Sequence, residues 1–309
     1  MCMHQTALTD AEGSGLSQTT VLVTGATSGL GRECARVLAL RGARVLMPCR
    51  SLDKAKRVLG EFRIAHASAM AERCQPHPCD LSSIASVHAY LDGLSRDAPI
   101  DMLFLNAGVF AVPRQLTDEG FEYTLAANYL GHFLLLYKLA MLGILSENAR
   151  IVVTLSESVH KNPFSRADIA MIAKDPPKPA AQMFSSPNSK VLLALMMGEF
   201  LRRISNSNLH SIRFNAVDPG PTLTDNVNQG SRIQRMLGQL VGPILFKKVD
   251  QGAAPLVWAA SSSEAKSGVL YTAIGKEARL PKKCTDPETA ARAWLASEAA
   301  LDLPVFDLA

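Results

Sequence analysis

Val21-Leu22-Val23-Thr24-Gly25-Ala26-Thr27-Ser28-Gly29-Leu30-Gly31 is the stretch from which the fold is read. Its first four residues are apolar or β-branched and run straight into a glycine, the pattern of a short buried strand. Over residues 29–41 the apolar positions Leu30, Cys34, Val37, Leu38 and Leu40 fall near helical spacing, and Arg41-Gly42 supplies a basic last turn and a glycine stop. Between strand and helix, the glycines let backbone approach a pyrophosphate, and the start of the helix offers unpaired N–H donors. A glycine-rich turn alone is weak evidence, because many strand-to-helix turns need glycine only for positive φ. Gly13 and Gly15 illustrate the point: they lie in a polar leader with no strand before them.

Working outward, strand and helix keep alternating. Residues 43–47 read as a second strand and 76–79 as a weak third ending at Asp80. Residues 82–96 read as helix, and 100–105 as an apolar strand running into Asn106-Ala107-Gly108. Residues 117–145 are expected to hold a long helix, 149–155 (ARIVVTL) the clearest strand, 189–204 a helix, and 211–217 a strand ending at Asp218-Pro219-Gly220. Strands separated by helices of this length require right-handed crossovers, hence a parallel sheet covered on both faces. The expected fold is α/β, a Rossmann-type doubly wound parallel sheet in a single domain over residues 19–309, preceded by a poorly ordered or disordered leader at 1–18. Two stretches break the rhythm. Residues 161–185 carry four prolines, and residues 221–250 carry an amphipathic run at 233–246 flanked by Lys247 and Lys248. Both follow strand ends, where an open parallel sheet places its ligand crevice, so they are expected to roof a substrate site. The basic run is read as a lid helix in preference to a membrane-surface anchor.

Composition narrows the setting. The 309 residues are 48% hydrophobic and 19% charged, which suits a well-buried globular chain. Lys plus Arg (32) exceed Asp plus Glu (28) by 4 with no dense basic stripe, which argues against nucleic acid as the ligand. Cys2, Cys34, Cys49, Cys74, Cys79 and Cys284 form neither CxxC pairs nor clusters with histidine at zinc spacing, so no metal is expected, and the thiols are expected reduced in the cytoplasm. No window reaches 18 uninterrupted apolar residues; the run at 133–145 is broken by Lys138 and reads as a buried helix rather than an integral membrane segment.

With these elements in order, the chain resembles the short-chain dehydrogenase/reductase family, whose fingerprint TGxxxGxG follows the first strand. Cys79-Asp80-Leu81 resembles the family's adenine-contacting Asp-Leu, Leu105-Asn106-Ala107-Gly108 its NNAG element, and Asn128 in Ala127-Asn128-Tyr129-Leu130-Gly131-His132-Phe133 its catalytic-helix asparagine. Ser156 ends a strand where the family keeps its catalytic serine, Lys190 matches the lysine of YxxxK, and Pro219-Gly220-Pro221-Thr222-Leu223-Thr224 matches PGxxxT, which contacts nicotinamide. The resemblance spans residues 19–275. Asn-x-Leu-Gly-His-Phe, His160, Asn188-Ser189-Lys190 and Trp294-Leu295-Ala296-Ser297-Glu298 are similar to the retinol dehydrogenase-like branch. It implies a cofactor held by Gly25, Ser28, Gly29, Leu30, Gly31, Asp80, Leu81, Asn106, Ala107, Gly108, Lys190, Pro219, Gly220, Thr222 and Thr224.

Charge indicates which cofactor. NAD users place an acid after the second strand to bond the ribose 2′-hydroxyl, whereas this chain has Pro48-Cys49-Arg50-Ser51. Arg50 can pair with a 2′-phosphate and Arg32 adds charge nearby, so NADP(H) is expected. One position departs from the family: Ser186-Pro187-Asn188-Ser189-Lys190 keeps the spacing and the lysine, but serine stands where the tyrosine acid belongs. A serine hydroxyl lies nearer its backbone than a phenol and is far less acidic than a group with pKa about 10. The catalytic set implied is therefore Asn128, Ser156, Ser186 and Lys190, with Tyr129, His160, Glu157 or a water held by Ser156 and Lys190 as sources of the proton. Each of those residues also has a bland reading, Tyr129 facing a neighbouring helix and His160 bracing a loop.

Three functions remain open on these residues. The first is an NADP(H)-dependent oxidoreductase acting on a lipophilic small molecule, with weight shifted to C=N or C=C reduction. The second is a non-redox isomerase or cyclase on the same scaffold, and the third a catalytically silent NADP(H)-binding protein. The helices near 117–145 and 189–204 resemble the family's paired homodimer or homotetramer surface, but burial within one subunit gives the same pattern.

Overall fold

The computed structural model describes residues 15–66, 68–110, 112–161, 167–176, 185–222 and 247–308. Residues 1–14 of the leader, the amphipathic run 233–246, most of the two roof stretches, and Leu223 and Thr224 of PGxxxT lie outside the described residues. Residues 15–18 lead into the first strand by a turn, in which Leu16 N–H bonds Arg41 O and Leu16 packs on the core.

Eight strands form one sheet: β1 (Thr20–Val23), β2 (Arg44–Cys49), β3 (Cys74–Pro78), β4 (Ile100–Leu105), β5 (Leu145–Thr154), β6 (Arg213–Val217), β7 (Leu270–Tyr271) and β8 (Glu277–Ala278). Their spatial order is β3-β2-β1-β4-β5-β6-β7-β8, parallel throughout except for the last pair. The chain winds outward from β1 on one side, then returns to place β4 on its other side. That reversal opens a crevice at the carboxyl ends of β1 and β4.

The two-residue period of the strands distributes side chains to two cores. Val21, Val23, Val45, Met47, Met102 and Phe104 face α1 (Gly29–Leu40), α2 (Leu52–Ala65) and α3 (Ser68–Glu72). Leu22, Leu46, Leu103 and Leu105 face the opposite layer, which holds α4 (Ile84–Asp92), α5 (Tyr123–Leu125), α6 (Gly131–Met141) and α8 (Ser185–Ile204). The short α7 (Ser158–Lys161) follows β5; α9 (Val249–Ser261) joins the first layer and α10 (Pro287–Ala300) the second. Burial on both faces explains why these strands read as apolar runs without alternation.

The single helix expected over 117–145 is corrected. Residues 117–122 form a turn around Gly120 (φ +87°), and Glu122 caps the helix start by accepting from the Thr124 and Leu125 N–H groups. One π turn, Ala126–Leu130, separates α5 from α6, and Gly143 (φ +65°) ends the helix before β5 begins at Leu145. The apolar run through Leu145 thus spans a buried helix, the turn at Gly143 and the buried first residue of a strand, and apolar residues continue across the break, so no periodicity separates them. Helices α2, α3, α9 and α10 were not read from the sequence; α8 starts at Ser185, placing Pro187 in its first turn, where proline is tolerated.

Candidate active site

A cleft of about 680 Å³ lies over the carboxyl ends of the central strands. Its floor is the loop from β1 to α1. Thr24 anchors that loop: its Oγ accepts the Asn106 and Ala107 N–H groups at 2.8 and 3.0 Å, tying the loop to the end of β4. The approach is close enough to require glycine. A Cβ on Gly31 would stand 2.5 Å from both Asn106 Nδ2 and Gly25 O, and Gly25 (φ +71°) would place one 3.0 Å from Ala107 Cα. Gly31 therefore acts from behind the loop, while Gly25, Ser28, Gly29 and Leu30 line the cleft. The N-cap side chains of α2, α4 and α10 (Ser51, Ser83 and Asp286) accept N–H groups of their own helices, but Ser28 makes no such bond and the first turn of α1 holds no acid. The start of α1 thus faces the cleft with uncapped donors, which fits the pyrophosphate of a dinucleotide.

At one end of the cleft stand Arg50 and Ser51 after β2, Lys54 of α2, Asp80 and Leu81 after β3, and Tyr123 and Ala127 from the helix beyond. Arg50 Nη1 donates to Tyr123 Oη at 2.6 Å. Arg32, expected to add charge here, instead pairs with Glu61 of α2 at 2.5 Å and lies over the Phe62 ring, because α1 turns its side chain to α2 and away from the cleft.

At the other end the structure brings together Asn106, Ala107, Gly108, Asn128, Ser156, Ser186, Lys190, Pro219, Gly220 and Thr222, with Val109, Phe110, Thr154, Leu155 and Asp218 beside them. The π turn presents Asn128 to its neighbours. Its Oδ1 accepts Val109 N–H at 2.7 Å, and its Nδ2 donates to Val109 O at 3.0 Å and to Ser189 Oγ at 3.1 Å, joining the loop after β4 to α8. Lys190 Nζ donates to Thr154 O at 2.7 Å; Thr154 Oγ donates to Asn106 Oδ1, and Asn106 Nδ2 to Thr24 O, both at 3.1 Å. This chain of bonds runs from the lysine back to the phosphate loop. Burial pushes the Lys190 ammonium down to about 8.

The candidate proton sources separate. Tyr129 is buried, bonds Ser297 Oγ at 2.8 Å, and has its phenol pushed well up by burial, so it packs between helices and does not face the cleft. Glu157 and His160 are exposed and do not line the cleft. Of the five tyrosines in the chain, Tyr123 alone lines it, at the end away from Lys190. Lys54, Tyr123, Phe110 and Asp218 were missed in the sequence. Lys54 had a signal, a cation one turn after Arg50, which becomes legible once α2 is recognised.

The comparisons agree with this architecture. Residues 19–167 match the short chain dehydrogenase family. The chain is 34% identical over 306 residues to retinol dehydrogenase 14 of Homo sapiens, covering 92% of this chain and 86% of that one. It is 32% identical over 278 residues to a WW domain-containing oxidoreductase of Gallus gallus, covering 87% of this chain and 64% of that protein's length. A crystal structure of an uncharacterized protein from Mycobacterium Paratuberculosis superposes with a TM-score of 0.74 at 27% identity, covering 97% of this chain and 99% of that one. The chain belongs to the short-chain dehydrogenase/reductase family of oxidoreductases and is an enzyme. Among the described residues no helix is long and apolar enough to cross a membrane.

Proposed function

We propose that the enzyme is an NADP(H)-dependent reductase of the cytoplasm acting on a lipophilic small molecule, and that it reduces C=N or C=C bonds. The observation that carries the reaction type is the combination of α8 with the end of β5: Lys190 and, after β5, Ser156 line the cleft, and Ser186, one turn before the lysine, stands where the family's tyrosine acid belongs. A bound nicotinamide supplies the hydride. The chain's own part is to seat the pyrophosphate on the start of α1, to hold the ribose near Lys190, and to keep the acceptor close, since proximity needs no acid. A ketone needs a proton on oxygen as hydride arrives. An iminium ion needs none on nitrogen, and an enone takes its proton from solvent afterwards, so the loss of a phenol is tolerated there.

Arg50 and Lys54, with no acid directly after β2, support NADP(H) over NAD(H). Phe110, 57% exposed, with Val109 and Leu155 forms an apolar wall at the lysine end, and the name of the human relative specifies a lipophilic alcohol, retinol. The isomerase and silent-binding readings gain no support from the relatives. The test is turnover of NADPH by purified protein with panels of iminium ions, enones and ketones, followed at 340 nm and by product mass. The expected result is one hydride equivalent added per NADPH oxidised, with the unmodified Ser186 enzyme, on an iminium or an enone. NADPH consumption that appears only in Ser186→Tyr overturns the reading.

A further inference from the structure

We infer that Tyr123 is a specificity-determining residue that positions Arg50 and contributes its own hydroxyl to recognition of the adenosine 2′-phosphate; the inference rests on the NADP(H) reading above. The two residues are 73 positions apart and meet in a 2.6 Å hydrogen bond at one end of the cleft. Arg50 is exposed, and an exposed arginine loses rotamer freedom when it grips an anion. Tyr123 removes part of that cost beforehand, because it is itself fixed. Its N–H bonds Gln115 O at 3.0 Å, and the buried Glu122 beside it holds the following turn through both carboxylate oxygens.

The direction of the bond matters. A guanidinium has only donors, so the phenol oxygen accepts from Arg50, and its O–H remains to donate. Among the described residues no acceptor for that proton is paired with it. Arg50 keeps its other N–H groups, Lys54 brings a compact ammonium from the first turns of α2, and Asp53, the one acid in the first turn, does not line the cleft. Three side chains with donors, two of them joined by a hydrogen bond, thus line the same cleft. A ribose 2′-hydroxyl would use one of them; a phosphate, with three acceptor oxygens and charge approaching two, can use them all.

The test is equilibrium binding to the full chain of adenosine 2′,5′-bisphosphate, adenosine 5′-phosphate, NADPH and NADH, comparing wild type with Tyr123→Phe and Arg50→Met, each checked for an unchanged melting temperature. Tyr123→Phe is expected to weaken the 2′-phosphorylated pair about fivefold, the worth of one hydrogen bond, and to leave the other pair within about twofold. Arg50→Met is expected to weaken the same pair further. If Tyr123→Phe weakens all four ligands alike, the ring only walls the adenine; if it tightens them, the bond to Arg50 is a latch that binding must break; either result overturns the role of Tyr123. A wild type that binds NADH as well as NADPH overturns instead the cofactor reading beneath it.

Discussion

Lys190 carries a charge whose state is set by its surroundings. Burial lowers its ammonium to about 8 in the free protein, and a polyanionic cofactor beside it favours the charged form and raises that value again. Binding above pH 8 therefore takes up a proton, and linkage fixes the sign: cofactor affinity is flat below pH 8 and weakens above it, by up to about tenfold per pH unit until the pKa of the bound state is reached. Dissociation constants for NADPH measured from pH 7 to 9.5 should show this slope in wild type and lose it in Lys190→Met. A flat wild-type profile would mean that the lysine keeps its proton throughout. Residues like Lys190 and Arg50 were legible in the sequence because a four-residue spacing, or the absence of an acid after a strand, is local information. Tyr123 was not, since its meaning depends on an arginine 73 residues away.

The helix pair α5 and α6 shows what the sequence conveyed about elements. A buried helix was evident from its apolar residues, but its π turn was not; just after that turn Gly131 passes so near β3's exit loop that a Cβ would lie 2.2 Å from Leu81 O, a tertiary contact no local pattern announces. From this helix His132 reaches the phosphate loop, with Nδ1 2.9 Å from Asn128 O and Nε2 2.9 Å from Thr24 Oγ. A carbonyl only accepts, so Nδ1 bears the proton; Thr24 Oγ already accepts from the Asn106 and Ala107 N–H groups and has one proton of its own, within reach of both Phe104 O and His132 Nε2. A second proton has no acceptor to face. Burial first, and the Lys190 charge in addition, push His132 down to about 4, against 6.5 in the unfolded chain. The unfolded state therefore binds more protons between pH 4 and 6.5, and stability falls as pH drops through that window, by about 3 kcal/mol when complete. His77 and His88 are also lowered by burial, so the measure is a difference. Urea unfolding at pH 7 and 4.5 should show a smaller loss in His132→Gln than in wild type, and equal losses would refute the assignment.

At the scale of the whole molecule, α10 packs against the faces of α6 and α8 within this chain. Trp294 packs edge-on against Phe133 of α6 at 4.8 Å and Phe306 at 5.2 Å, stacks with Phe200 of α8 at 6.4 Å, and lies under the Arg203 guanidinium at 5.0 Å. Its Nε1 donates to buried Glu298, which also accepts Phe306 N–H, while Tyr137 Oη donates to Pro304 O. Phe133 and Tyr137 of α6 and Phe200 of α8 are thus covered within the chain by α10 and the segment after it. Sequence reasoning met Trp294 only as a mark of kinship, because a lone tryptophan in an alanine-rich helix says nothing of which face it closes. Two consequences can be measured together. Trp294→Ala removes a fully buried ring from between two helices and should cost about 3–5 kcal/mol, seen as a lower denaturant midpoint at unchanged slope. If this burial belongs to one chain, the wild-type midpoint is independent of protein concentration; a midpoint that climbs with concentration would mean that unfolding is coupled to dissociation, and that some other surface holds subunits together.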